Sequence, residues 1–299
     1  MDFATLEVFR AVAKVQSINR AADLLGQDPA TVTTRIKEIE MEIGKPLFER
    51  DERQMALTIE GASYLDYAER ILNLADEARQ VVNPAGPSGV LRVGSMEAAA
   101  AARLPIPLAT FNARWPQVTI NLSTAPTREL IDGLLAHRID CALIAIPSDE
   151  WWVSPGKLDT VALFSEELVI VLPPGHPEVE HSSEIKPSSL AAFETGCTYR
   201  MLTEEWLTHF GTRKANLRIQ EVSSYHAMIA CTASGTCFCA MPRTVLDLIP
   251  DASHFTIRPI ATIDTYLATR PGFMTPAFSE FRDALMAFSD IKAARNVPT

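Results

Sequence analysis

Asp28-Pro29-Ala30 opens a segment that carries Thr33 and Thr34 one turn later, with Arg35 and Lys37 just beyond. Small and hydroxyl side chains grouped in this way suit close approach to the edges of nucleic-acid bases. A threonine hydroxyl can hydrogen-bond a base edge while its methyl packs on the thymine methyl; Arg and Lys neutralise phosphates. No comparable grouping points to catalysis. The chain has no Gly-rich phosphate loop, no zinc-ligand helix and no nucleophile elbow. Its six histidines, His137, His176, His181, His209, His226 and His254, are scattered and form no motif. The five cysteines, Cys141, Cys197, Cys231, Cys237 and Cys239, have no zinc-site spacing. Cys237 and Cys239, two apart on a strand, would share one face. The cysteines read either as apolar core filling or as a redox device pairing Cys197 with Cys231, Cys237 or Cys239. No metal, no cofactor and no enzymatic activity are expected.

The elements that must position the threonines are short helices. Leu6, Phe9 and Ala13 mark one face of a first helix. Ser17 is the N-cap of a second, which runs through Ile18, Ala21, Ala22 and Leu25. Gly26-Gln27 make a tight turn, and Asp28 with Pro29 starts a third helix to about Glu42, Pro29 sitting where its missing N–H costs nothing. Val32, Ile36, Ile39 and Ile43 point inward from that helix; Ala30, Thr33, Thr34 and Lys37 point outward. Two helices joined by a three- or four-residue turn match the helix-turn-helix that enters a major groove. Pro46-Leu47-Phe48 and Ala56-Leu57-Thr58 then read as a hairpin whose tip carries Arg50 and Arg53, a candidate wing. The alternative is a generic three-helix module with a solvated charged loop. Net charge does not drive binding: the protein stands at −10, and residues 1–58 hold eight basic against ten acidic side chains, or −2. Placement of charge, not its sum, must therefore matter.

Beyond Glu60, an apolar stripe of Tyr64, Ala68, Ile71, Ala75, Ala78 and Val82 alternates spacings of four and three, as in a coiled-coil seam. It serves either as a dimerisation seam or as the face of a helix packed on its own chain. Asn83 to Gly89, with two prolines and two glycines, breaks it. The second half alternates strands and helices: Val90–Ser95, Val118–Leu122, Ile139–Ile146, Glu167–Leu172, Gln220–Val222, Thr236–Met241 and Thr265–Thr269 are strands, most of them apolar throughout. That pattern predicts parallel α/β layers. The first residues are not a signal peptide, and no apolar run reaches the roughly 18 residues of a membrane span. A cytoplasmic protein with no membrane partner is expected.

Ser17 to Leu25, Pro29 to Ile36 with Ile39-Glu40, Gly44 to Arg50, Arg53, and Leu57 to Gly61 together resemble the LysR-type transcription regulators, without a gap through about residue 61. The resemblance implies a winged helix-turn-helix in residues 1–58, a linker helix and hinge in 59–88, and a two-lobed, periplasmic-binding-protein-like α/β effector domain in 89–299. Lobe I would comprise about 89–163 and 266–299, and lobe II about 164–265. It further implies a sequence-specific regulator that binds double-stranded operator DNA as a homo-oligomer, dimer or tetramer, under control of a small-molecule effector. Pro29, Ala30, Thr33 and Thr34 would lie in the major groove, Ser17, Arg35 and Lys37 near phosphates, and Arg53 at the minor groove. Thr34 departs from the family pattern, which often has Arg or Lys there, so a bidentate guanine contact is lost. The effector would sit between the lobes, facing Ser95-Met96-Glu97, Thr124 to Thr127, Thr198-Tyr199-Arg200 and Ser223-Ser224-Tyr225. If Arg200 faces the cleft it holds an anion, and with Glu97 it would suit a zwitterion. Alternatively Ser95 and Thr127 only cap helices, and Arg200 pairs with Glu204 or Glu205. A solute-binding protein would share the second half but not the helix-turn-helix.

Overall fold

The computed structural model describes residues 2–50, 55–82, 86–147, 156–209 and 217–291. The chain divides into two compact units, the first of Met1–Pro84 with Ala136–Arg138 and the second of Ala85–Leu135 with Ile139–Thr299.

The first unit begins with helices α1 (Phe3–Val15), α2 (Ile18–Leu25) and α3 (Pro29–Ile43). Each start is fixed by a side chain taking up an orphan helix N–H: Asp2 accepts from Thr5, Ser17 from Arg20, and Asp28 from Ala30 at 2.7 Å. Gly26 and Gly44 end α2 and α3 at φ of +62° and +72°, where a side chain would be strained. Leu6, Phe9, Val12, Ala21, Val32 and Ile36 are buried together between the three helices. Strands β1 (Phe48–Arg50) and β2 (Met55–Leu57) pair antiparallel, with Phe48 opposite Leu57. The first strand thus begins and ends later than the sequence suggested, and the second a residue earlier. The Glu40 carboxylate accepts from the backbone N–H of Leu47 and of Phe48, tying α3 to the hairpin.

Helix α4 (Ile59–Val81) follows, N-capped by Thr58. The expected seam is corrected here. Ala68 is fully buried in the first unit's own core, and Tyr64 packs edge-on against Phe9 with ring centroids 5.2 Å apart. The helix therefore has two apolar faces, because each needs only every third or fourth residue. The exposed one is Tyr67, Ile71, Leu74, Ala78 and Val81, again at alternating spacings of four and three. Ile71 and Ala78 are common to the expected and observed stripes; Tyr64, Ala68 and Ala75 are not, and Val82, though exposed, follows the end of the helix.

The second unit is an eight-stranded sheet ordered β4-β3-β5-β10-β6-β9-β7-β8. Its elements are β3 (Gly89–Ser95), α5 (Glu97–Ala102), α6 (Pro105–Arg114), β4 (Val118–Thr124), α7 (Thr127–Leu135), β5 (Cys141–Ala145), β6 (Asp159–Leu172), β7 (Ser189–Ala192), α8 (Thr198–His209), β8 (Arg218–Glu221), α9 (Tyr225–Ala233), β9 (Cys237–Pro242), α10 (Arg243–Leu246), β10 (Thr256–Thr269) and α11 (Pro276–Met286). The order repeats itself from either end. β3 lies parallel between β4 and β5, β7 lies parallel between β8 and β9, and each set is closed by a long antiparallel strand. Those two strands, β6 and β10, pair along their whole length and carry the chain between the lobes. Their apolar ends, read from sequence as members of parallel layers, in fact run antiparallel. β5 is buried at every position, as a strand covered on both faces must be. Glu166, buried on β6, accepts from Arg103 Nε and Thr244 Oγ1, each at 2.6 Å, and so ties the loop before α6 to α10.

Candidate functional site

On the first unit, Pro29, Ala30, Thr34 and Lys37 are exposed along α3, with Thr33 half-buried beside them. The Asp28 cap and Pro29 start the helix so that its first turn stands clear of the core. Thr33 Oγ1 donates to the Pro29 carbonyl at 2.8 Å and Thr34 Oγ1 to the Ala30 carbonyl at 2.9 Å. With their protons directed back into the helix, both hydroxyl oxygens offer lone pairs outward. Oxygens so disposed are acceptors of the kind that an amino group such as adenine N6 or cytosine N4 can donate to. Ser17 and Arg35 also bond within the unit, each with donors to spare. Ser17 caps α2, and the Arg35 guanidinium donates to Thr5 Oγ1 at 3.2 Å and reaches Asp2 at 3.4 Å. Arg50 ends β1, and Arg53 lies outside the described residues.

The second unit holds a cavity of about 540 Å³, within the range that small-molecule sites occupy. Four strand-to-helix junctions build it. Met96 and Glu97 come from β3–α5, and Thr124 to Thr127 from β4–α7. Phe193, Glu194, Cys197 and Tyr199 come from β7–α8, and Glu221, Val222, Ser223 and Tyr225 from β8–α9. Each junction sits at the carboxyl end of a parallel strand, the place where open α/β sheets bind ligands. At the floor, the Thr198 hydroxyl donates to the Ala145 carbonyl at 2.8 Å and lies 3.0 Å from the Thr127 hydroxyl. Phe193 and Tyr225 stand edge to face, with centroids 4.9 Å apart. Tyr199 is buried, which pushes its phenol above the ordinary tyrosine range, and its hydroxyl lies near that of Thr265 without a well-formed hydrogen bond.

Of the thirteen residues in the four segments expected from sequence to face the effector, nine line this cavity: Met96, Glu97, Thr124, Ala125, Pro126, Thr127, Tyr199, Ser223 and Tyr225. Four do not, one of them Thr198, which is committed to the Ala145 carbonyl. Ser95 is fully buried, and its hydroxyl donates to the Met96 carbonyl at 2.8 Å. Ser224 is the N-cap of α9, accepting from Ala227. Arg200 turns away: Nε donates to Glu204 at 2.9 Å, and Nη1 donates to Glu221 at 2.7 Å and to the Phe193 carbonyl at 2.9 Å. Its alternative reading as the partner of Glu204 is the geometry found, and Glu221 is a second partner that sequence spacing could not reveal. Phe193, Glu194 and Cys197 were missed because β7, only four residues long, was not recognised, so the turn behind it had no place in the pattern. The short apolar run Leu190–Phe193, closed by Gly196, was the available signal.

Desolvation holds the Glu97 carboxyl above the ordinary carboxylate range, although the Tyr225 backbone N–H and His226 offset part of the rise. Burial likewise pushes up the thiols of Cys141 and Cys197, and that of Cys239 to about 12. Among the described residues no cluster of His, Cys, Asp or Glu could hold a metal ion.

A winged helix-turn-helix and a ligand-sized cleft at the strand ends of a two-lobed sheet define a DNA-binding protein with a small-molecule domain. The chain belongs to the LysR family of transcription regulators. Residues 3–62 match the model of the bacterial regulatory helix-turn-helix protein of the lysR family, and residues 84–289 the LysR substrate binding domain. It is 32% identical to the uncharacterized HTH-type transcriptional regulator YusT of Bacillus subtilis (strain 168), over 99% of this chain and 98% of that one. It is 29% identical to the HTH-type transcriptional regulator GltR of the same organism, over 94% and 95%. Among solved structures, full-length CbnR complexed with its target DNA superposes with a TM-score of 0.67 at 21% identity, covering 97% of this chain and 100% of that one. A full-length variant of OxyR from Pseudomonas aeruginosa gives 0.71 at 22%, covering 95% and 94%. The protein is thus a DNA-binding transcription regulator with a substrate-binding domain. No described helix is long and apolar enough to cross a membrane.

Proposed function

We propose that the protein reads a double-stranded operator with Pro29, Ala30, Thr33 and Thr34 in the major groove, Lys37, Ser17 and Arg35 toward phosphates, and Arg50 and Arg53 on the wing. It acts in the cytoplasm as a homo-oligomer joined through the exposed stripe of α4, with residues 1–58, 59–88 and 89–299 as its DNA-binding, linker and effector domains. The effector binds in the cleft lined by Met96, Glu97, Thr124, Thr127, Tyr199 and Ser223. Differential affinity for the open and closed lobes makes it a switch. The observation that carries this reading is the cavity itself: four helix starts, two from each lobe, meet around it. A ligand there touches both lobes at once. The test is Ala125→Trp, which fills the cleft with an indole. Operator binding without effector should persist, and the response of a reporter gene to its inducer should disappear. An unchanged response would place the effector elsewhere.

A further inference from the structure

The cleft is charged in the sense opposite to that expected for an anion. Three carboxylates line it, Glu97, Glu194 and Glu221, while none of its described lining residues is Lys or Arg. Arg200, the guanidinium nearest in sequence, is tied to Glu204, Glu221 and the Phe193 carbonyl and is not among the lining residues. Arg128 follows Thr127 but is exposed and does not contribute to the lining. Two of the four helix starts, which elsewhere attract anions, are partly satisfied from within, those of α8 and α9, while α5 has no side-chain cap. Glu97 accepts from the Tyr225 N–H, and the Cys197 sulfur accepts from the N–H groups of Tyr199 and Arg200. The position a ligand carboxylate would take at α9 is thus filled by the protein's own. Beside these acids stand the edge-to-face pair Phe193 and Tyr225, the Met96 side chain and the buried Tyr199.

We propose that the cleft selects a small organic cation, an amine or quaternary ammonium on an apolar body. The cationic group lies against Glu97 and the aromatic faces, and the body lies over Met96 and Val222. Ring faces attract a desolvated cation, and an ammonium donating to a half-buried carboxylate repays that group's lost hydration. The carboxylates are too dispersed to close on a metal ion, which an extended organic cation does not require. A ligand carboxylate would instead meet like charge without a paired counterion. This proposal rests on the effector occupying the cleft, as argued above.

The test keeps ring size fixed and varies charge. Full-length protein is titrated with benzylamine, benzyltrimethylammonium, benzyl alcohol and benzoate, and binding is followed by thermal shift and calorimetry. The two cations should stabilise the protein and benzoate should not. Glu97→Gln, near-isosteric and checked for an intact fold by circular dichroism, should weaken benzylamine binding about tenfold, the loss of one charge-assisted hydrogen bond, and that of benzyltrimethylammonium, which has no N–H to donate, through the lost charge attraction alone; Glu97→Asp should recover part of both. Benzoate binding as tightly as the amines, amine binding indifferent to Glu97→Gln, or no response to either cation would each overturn the proposal. Ala125→Trp separates the two levels. If it abolishes binding of whichever probe does bind, the cleft stands even where its charge preference fails. If it does not, the cleft reading itself falls.

Discussion

Gly61 lies in the first turn of α4, and a methyl group added there would sit 2.0 Å from the Leu47 carbonyl oxygen, against the 3.4 Å at which ordinary contact begins. The carbonyl would have to retreat by more than 1 Å, and three attachments oppose this. The Leu47 N–H donates to Glu40 at 2.9 Å, its carbonyl accepts from the Thr58 N–H at 3.0 Å, and its side chain is fully buried. Replacing glycine by alanine in a helix gains about 1 kcal/mol in propensity. Forcing a packed backbone apart costs about 1–3 kcal/mol, and each hydrogen bond lost adds roughly 1 kcal/mol. The steric term wins, and Gly61→Ala should destabilise the first unit by about 2 kcal/mol. For a unit of this size that is a fall of roughly 8–16 °C in Tm. All four tryptophans, Trp115, Trp151, Trp152 and Trp206, follow the break near residue 84 in the chain. Thermal melts followed by helical circular dichroism should therefore show an earlier transition while tryptophan fluorescence melts as before. A variant as stable as the parent, or more so, would refute the claim that Leu47 is immovable.

Thr33→Ala and Thr34→Ala should each cost roughly 1–3 kcal/mol of specific operator affinity with little change in non-specific binding; Lys37→Ala should weaken binding to every sequence and reduce the salt slope by about 1. Footprints and affinities unaltered in all three would remove α3 from the groove. Leu74→Glu should dissociate the oligomer in light scattering while α4 stays folded, whereas Ala68→Glu should unfold the first unit, since Ala68 belongs to its own core. An intact oligomer in Leu74→Glu would show that the exposed stripe holds no partner. Replacing all five cysteines by Ala or Ser should lower stability through lost core volume yet leave the inducer response intact, because burial keeps the Cys197 thiol protonated; a folded, DNA-binding variant that no longer responds would revive the redox reading. A carboxyl whose pKa is raised by folding takes up a proton more readily when folded, so the contribution of Glu97 favours the folded state at low pH and is lost as pH rises through that raised value. Glu97→Gln should accordingly flatten this part of the stability–pH curve and raise unliganded stability at neutral pH, and a lower neutral-pH melting point would contradict the burial argument.

The first unit was the more legible because its signals are local. A cap, a turn glycine and an inward face are all written within a few residues of each other, as at Asp28-Pro29 and Gly44. The seam on α4 failed for a different reason. A 23-residue helix with apolar residues on two sides gives two stripes of nearly the same period, and periodicity cannot say which is covered. Tyr64 and Ala68 go inward only because Phe9 and its neighbours, far earlier in the chain, need covering. In the second unit the strands were visible as apolar runs. Direction was not, because β6 and β10 are buried like parallel strands while running antiparallel.

The charge of the cleft was hidden for the same reason, one level up. Arg200 and Glu97 are both close to helix starts, and sequence alone leaves Arg200 open between half of a zwitterion site with Glu97 and a partner of Glu204 or Glu205. Whether an arginine is available depends on carboxylates that meet it in space. Glu204, one turn on, was a visible candidate; Glu221 reaches it only because β8 is laid beside β7. A guanidinium holding two carboxylates and a backbone carbonyl has little capacity left for a third anion, and moving it into the cleft would strand those partners. The same pairing fixes Glu221 at the cavity wall with its charge half-compensated, while Glu97 retains an uncompensated share. On the proposed reading, specificity in this site is set less by the residues that face the ligand than by which of their charges the surrounding chain has already neutralised. Arg200→Gln follows as a sharp case: it frees Glu221, makes the cleft more acidic, and should tighten binding of benzylamine in calorimetry while costing some stability. If Arg200 instead held the effector, the same substitution would abolish binding.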